Sequence, residues 1–207
     1  MRGRRSEPAI APPILSFVPS EVEGRWHEFI TDAPRLRSGR ANGGGRVIGV
    51  ESDVSGEWNP RIDWPALAVS AVHAAVAMSR HAGLCDSEVS VKFTSDEEVR
   101  ALNAAWRGKD EATNVLSFPM ADAAGLAAAQ LLGDVVLAHG ICASEAAERG
   151  VGLETHAAHL VVHGTLHLLG YDHETSDTEA EEMEETERRA LASIGIADPY
   201  LVTEVQP

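Results

Sequence analysis

The sequence predicts an α+β fold: a single domain on a mixed sheet of about four strands, packed with helices. Three observations predict it. Short β-branched segments and longer helical ones follow each other in irregular order, not in strict βαβ repetition. Capping and turn signals separate them at close intervals from about residue 46 onward. A long apolar segment, Leu153 to Leu169, supplies a central helix for the sheet to pack on.

Each element has its own signal. RVIGVES (46–52) reads as a strand. Asp63 caps a helix from Trp64 to about His81, with Pro65 in the first turn, where its missing N–H costs nothing, and Gly83 past the end. SEVSVKF (87–93) alternates and is β-branched, hence a strand. Ser95-Asp-Glu-Glu98 is a capping box that opens a helix to about Trp106. After the loop RGKDEAT come a strand at NVLSF (114–118), stopped by Pro119, and another at GDVVLA (133–138). ICASEAAER (141–149) reads as a helix, and Leu153–Leu169 as a long one closed by Gly170. A last amphipathic helix, at about 177–194, carries Glu179, Glu181, Glu182, Glu184, Glu185 and Glu187, which read as a solvated face.

Residues 1–45 are rich in Pro, Gly and Arg and cannot bury enough apolar surface to offset their ordering entropy. They are expected to form a flexible extension, with WHEFI (26–30) as a short helical turn, ahead of a domain at 46–207. The rest of the composition is that of a globular protein, with 44% hydrophobic residues and no apolar run approaching a membrane span. MRGRRSEPAIAPP lacks the uninterrupted apolar stretch of a signal peptide. Cys85 and Cys142 match no CxxC spacing and read as buried free thiols. A cytoplasmic protein is expected. Net charge is −15, and residues 1–46 hold eight Arg against five acidic residues. The remainder, nine basic against 27 acidic, stands at −18. Such a balance disfavours broad phosphate binding, so any nucleic-acid function must use a small local patch.

Residues 163–173, HGTLHLLGYDH, carry the chemistry. Their skeleton H-x-x-x-H-x-x-G-x-x-H is the zinc-ligand pattern of the metzincin peptidases, with Gly164 where those enzymes carry their general base. His163 and His167 lie a turn apart on one helical face, and Gly170 lets the chain return so that His173 reaches the same ion. Three neutral nitrogens leave the fourth zinc position open, the mark of a catalytic site. His156 and His159, earlier on the helix, read as satisfied core residues, and Asp172 as either a turn former or a residue that orients a ligand. Arg107 and Lys109 lie past a helix end in a region otherwise poor in positive charge. Composition alone favours reading them as charges that offset the helix dipole.

LNAAWRGKDEATNVLSFPM and VVHGTLHLLGYDHE together resemble the two signatures of the YbeY family of endoribonucleases, also called rRNA maturation factors. GDVVLA and the acidic helix ending in DPY (198–200) sit where that family has them. The resemblance covers about residues 47–200, and the long N-terminal stretch departs from the compact family pattern. It implies a zincin-like domain binding one Zn2+ through His163, His167 and His173. It also implies a hydrolase that cuts single-stranded RNA in small-subunit rRNA maturation and ribosome quality control, with Arg107 as its functional arginine. The acidic surface makes ribosomal proteins expected partners on the rRNA precursor. Competing readings are a zincin-type peptidase, opposed by Gly164, and a ribosome-associated binding protein with a structural zinc, opposed by the absence of a fourth ligand.

Overall fold

Alternation of side chains sets the strands, and caps set the helices. In the computed structural model, which describes residues 47–122, 124–173 and 175–200, the strands are β1 (Gly49–Val54), β2 (Glu88–Thr94), β3 (Val115–Pro119) and β4 (Leu131–Ala138). The helices are α1 (Trp64–Met78), α2 (Asp96–Arg107), α3 (His139–Arg149), α4 (Leu153–Leu168) and α5 (Asp177–Ser193). The predicted α+β class, with a four-stranded mixed sheet, is what the chain forms. The expected extension at 1–45 lies outside the described residues.

Strand order is β1-β2-β4-β3, with β1, β2 and β4 parallel and β3 antiparallel at one edge. Period-2 alternation gives the sheet two buried faces. Val89, Val91, Phe93, Val115, Val135 and Leu137 face a large core shared with α1, α4 and α5. Leu116, Phe118, Val136 and Ala138 face a smaller one with Val99 and Leu102 of α2. Thus α2 and α4 lie on opposite sides of the sheet.

Several boundaries move for identifiable reasons. Asp63 Oδ1 accepts from Ala66 N at 3.0 Å, as its capping role requires. The helix it opens stops at Met78, not His81, because the extended Ser79 turns its N–H to Ala75 O and Val76 O and its hydroxyl to Val76 O. The capping box at Ser95 is half made. Ser95 Oγ accepts from Glu98 N at 3.3 Å, but the Glu98 carboxylate is engaged by Lys92 Nζ at 2.5 Å and by the Thr94 hydroxyl. α3 begins two residues earlier than its sequence suggests, since Asp96 Oδ1 accepts from Gly140 N at 2.7 Å and Ile141 N at 3.2 Å. That cap comes from another helix and is invisible to a local reading. Cys142 is buried as expected, whereas Cys85 is partly exposed in the turn before β2; both thiols are free.

α4 seats flat on the sheet at Gly164. A Cβ there would stand 2.7 Å from Val135 Cγ1 and 2.9 Å from Ser117 Oγ, both on fully buried residues of β4 and β3. Among the described residues no helix is long and apolar enough to cross a membrane, and α4 itself has 16 residues. Replacing Gly164 by Ala should gain about 1 kcal/mol of helix propensity. Overpacking against a stiff β-branched neighbour should cost about 1–3 kcal/mol. Chemical denaturation should therefore show Gly164→Ala to be less stable than the parent, and a midpoint raised above the parent's would contradict this account of the contact.

Candidate metal centre

Four histidines, His156, His159, His163 and His167, line α4, and all four are buried. Carboxylates and carbonyls divide them. His156 Nε2 lies 2.7 Å from Glu145 Oε2, and Asn114 Nδ2 donates to the same carboxylate at 3.0 and 3.2 Å. Burial alone would push the Glu145 carboxyl up, but His156 and Asn114 outweigh it and hold it below its ordinary value. His159 Nε2 lies 3.1 Å from Glu187 Oε1. His156 is thus hydrogen-bonded, whereas His159 Nε2 stands at ion-pair distance from Glu187 and makes no hydrogen bond.

His163 and His167 are held differently. His163 Nδ1 is 3.1 Å from Glu187 Oε1, and His167 Nδ1 is 2.9 Å from the Tyr171 carbonyl oxygen. Both partners are acceptors, so each ring donates from Nδ1 and keeps a lone pair on Nε2. Those two Nε2 atoms face each other at 3.1 Å. The third ring comes from beyond α4. Gly170 takes φ 78, a left-handed conformation that reverses the chain, while Tyr171 N bonds back to Leu166 O at 3.0 Å. This return brings in His173, whose ring centroid is 5.4 Å from that of His163 and 5.1 Å from that of His167. His173 Nε2 is buried and has no hydrogen-bond partner.

One ligand atom from each of His163, His167 and His173 lies within 4.8 Å of the others. Burial lowers the proton affinity of His163. Burial and the neighbouring His163 and His173 push that of His167 well below the usual histidine value. Facing lone pairs repel unless they share a cation, and an orphaned buried nitrogen needs a partner. This buried three-histidine cluster can hold a metal ion, and its all-nitrogen donor set suits zinc.

Arg107 stands on a different element. It is the last residue of α2, not the first of the loop, and Gly108 follows in the left-handed conformation. The loop beyond is pinned back on α2: Asp110 takes Arg100 at 2.7 and 3.0 Å, and Asn103 Nδ2 donates to Glu111 O at 2.8 Å. Asp172 Oδ2 accepts from the Thr175 hydroxyl at 2.7 Å.

Glu187 is the residue that sequence reasoning misplaced. Expected on a solvated face, it is fully buried against His159 and His163, and its other oxygen accepts from the Tyr200 hydroxyl. Desolvation would raise its carboxyl, but the two histidines hold it well below the carboxylate range. The signal was present. Met183, Thr186, Glu187, Ala190 and Leu191 are the buried residues of α5, so Glu187 falls within a helical stripe of i, i+3, i+4 and i+7 spacing.

The sequence model of the family described as Endoribonuclease YbeY matches residues 59–195. The chain belongs to this family. It is 52% identical over 162 residues to the Endoribonuclease YbeY of Novosphingobium aromaticivorans, covering 75% of this chain and 97% of that one. The Endoribonuclease YbeY of Rhizorhabdus wittichii is 50% identical over 169 residues, 76% of this chain and 99% of that one. A solution structure of a Thermotoga maritima protein aligns over 78% of this chain and all of that chain, with 21% identity and a TM-score of 0.47. The residues matched by the YbeY model include all three clustered histidines, Arg107 and Glu187.

Core and cluster histidines should respond differently to truncation. His156→Ala leaves Glu145, whose side chain is only 17% exposed, without its ring partner. That should cost about 2–3 kcal/mol, somewhat less than breaking a fully buried pair. Metal stoichiometry should stay at the parental value in elemental analysis; metal lost from a still-folded His156→Ala would place that histidine in the centre.

Proposed function

We propose that this YbeY-family protein is a zinc-dependent endoribonuclease that hydrolyses single-stranded RNA. In this reading one Zn2+ is held by His163, His167 and His173, and the enzyme acts in small-subunit rRNA maturation and ribosome quality control. The observation that carries it is the convergence of three buried imidazole nitrogens in a chain whose relatives are described as endoribonucleases. Zinc at that point would supply positive charge toward a phosphoryl oxygen and acidify water near neutral pH.

The chain's own residues do the rest. His163 and His167 are fixed in one tautomer before metal arrives, so little reorganisation accompanies binding. Arg107 offers a planar fork suited to the non-bridging oxygens of a phosphodiester. Gly164 bears on the peptidase alternative. A departing amine needs a proton donor, which the metzincin glutamate provides. Here the space beside residue 164 is filled by Val135 and Ser117, so a glutamate would have no seat. A phosphodiester asks chiefly for charge stabilisation, and the missing base is tolerable. A purely structural zinc would want a fourth protein ligand, and the cluster has three among the described residues. With −15 overall, the surface repels naked RNA broadly, which favours ribosomal proteins as docking partners and the cytoplasm as the site of action.

Single alanine variants of His163, His167 and His173 should each lose most of their zinc by elemental analysis while remaining folded. Retention of a full equivalent by the His163 or His167 variant would show that the metal sits elsewhere.

For Arg107→Ala, cleavage of single-stranded RNA by the zinc-loaded protein should fall by roughly a hundredfold or more, about 2–4 kcal/mol of transition-state stabilisation. Arg107→Lys should recover part of that, since a point charge cannot reproduce the fork. Zinc content and melting should hold. Cleavage at the parental rate would reduce Arg107 to a helix-end charge, and loss of zinc or fold would make it structural.

A further inference from the structure

Glu187 is buried in a protein whose other α5 glutamates face solvent, and desolvating a carboxylate is costly unless it is paired and hydrogen-bonded. Two hydrogen bonds answer it, from His163 of α4 at 3.1 Å to Oε1 and from the Tyr200 hydroxyl to Oε2, and His159 Nε2 stands 3.1 Å from Oε1 at ion-pair distance without a hydrogen bond. Tyr200 belongs to the DPY segment after α5. The residue is 40% exposed, yet its hydroxyl reaches a fully buried carboxylate. The segment is built to bring it there. Asp198 Oδ1 accepts from Tyr200 N at 2.9 Å, and the tyrosine ring packs edge-on to His159 at 6.2 Å, with the Arg188 guanidinium 5.9 Å from its centroid.

We propose that Glu187 is a positioning residue for the metal centre, and that Tyr200 locks it, so that docking of the DPY segment is part of forming the metal site. The inference rests on the proposed zinc reading. Glu187 Oε1 requires a proton on His163 Nδ1, which aims the His163 Nε2 lone pair at His167 and His173. The Tyr171 carbonyl does the same for His167 through the backbone, where no substitution can remove it. Among the described residues, the Glu187 carboxylate is a side chain that sets a ligand's tautomer. Left free to rotate, it could turn wholly toward His159. The Tyr200 hydroxyl on Oε2 fixes the rotation that keeps Oε1 between the two rings.

Zinc affinity, measured by competition with a chromophoric chelator on the full chain, separates positioning from packing. Glu187→Gln keeps the shape but removes the charge and presents an amide N–H2 where the Tyr200 hydroxyl donates. Its zinc affinity should fall about 10- to 100-fold. Tyr200→Phe keeps the ring, and should lose affinity several-fold with the zinc-free melting temperature little changed. A Glu187→Gln affinity within twofold of the parent, or a loss confined to zinc-free melting, would overturn the proposal. If Glu187→Gln fails to fold, Tyr200→Phe decides: parental zinc affinity there overturns the lock. A parent that binds no zinc overturns the underlying metal reading, an outcome distinguishable from the others because no variant then differs from it.

Discussion

The flat seating of α4 on the sheet at Gly164 is the constraint on which the rest depends. With no side chain at that position, the helix backbone comes down onto Val135 and Ser117, and its rotation about its own axis is fixed. At about 100° per residue, His156, His163 and His167 then fall within about 40° of one another, roughly 60–100° round the helix from the sheet-facing line. His159 lies further round, toward α5. The histidines therefore look sideways, at α3, at α5 and at the returning chain after Gly170, and not into the sheet. A bulkier residue at 164 would lift or roll the helix and turn every one of those rings away from its partner.

Sideways presentation alone would give four imidazoles in a row and an ambiguous choice of ligands. Two carboxylates remove the ambiguity. Glu145, carried by α3 and steadied by Asn114, takes His156 at one end. Glu187, carried by α5, takes His159 from the other side and draws on His163 only through Nδ1. What is left facing outward is the Nε2 of His163, the Nε2 of His167 and the third ring delivered by the turn. Selection among the histidines is thus made by the packing of α3 and α5 against α4.

This explains what could and could not be read from the letters. Sheet class, strand count and helix order were legible because period, caps and turn residues are local signals. So were the three clustered histidines, because i, i+4 spacing and a following glycine are local too. Boundaries failed where a cap came from afar, as at Asp96 over the start of α3, or where a side chain closed the helix early, as at Ser79. Glu187 was lost among neighbouring glutamates because charge was weighed ahead of period. Its position in the stripe of Met183, Ala190 and Leu191 was the better guide. The contact that excludes a glutamate at 164 needs the same face of two paired strands, at residues 18 apart in sequence, and no local pattern encodes it.

Steric exclusion is only half of why a glycine belongs at 164; charge is the other half. On the proposed reading, a divalent ion held by three neutral imidazoles beside one buried carboxylate would leave the centre with about one net positive charge. A glutamate at 164 would cancel it. For a peptide that cancellation is harmless, because the substrate is neutral at the scissile bond and needs a base. An RNA backbone carries a negative charge at every phosphate, and this chain, at −15, offers it little attraction elsewhere. The Glu187 charge is tolerable because it is fully buried, hydrogen-bonded by His163 and Tyr200 and close to His159, so on the proposed reading it projects weakly toward the side where a phosphate would approach. On the proposed reading, setting the orienting carboxylate behind the ligands helps to reconcile an acidic protein with an acidic substrate.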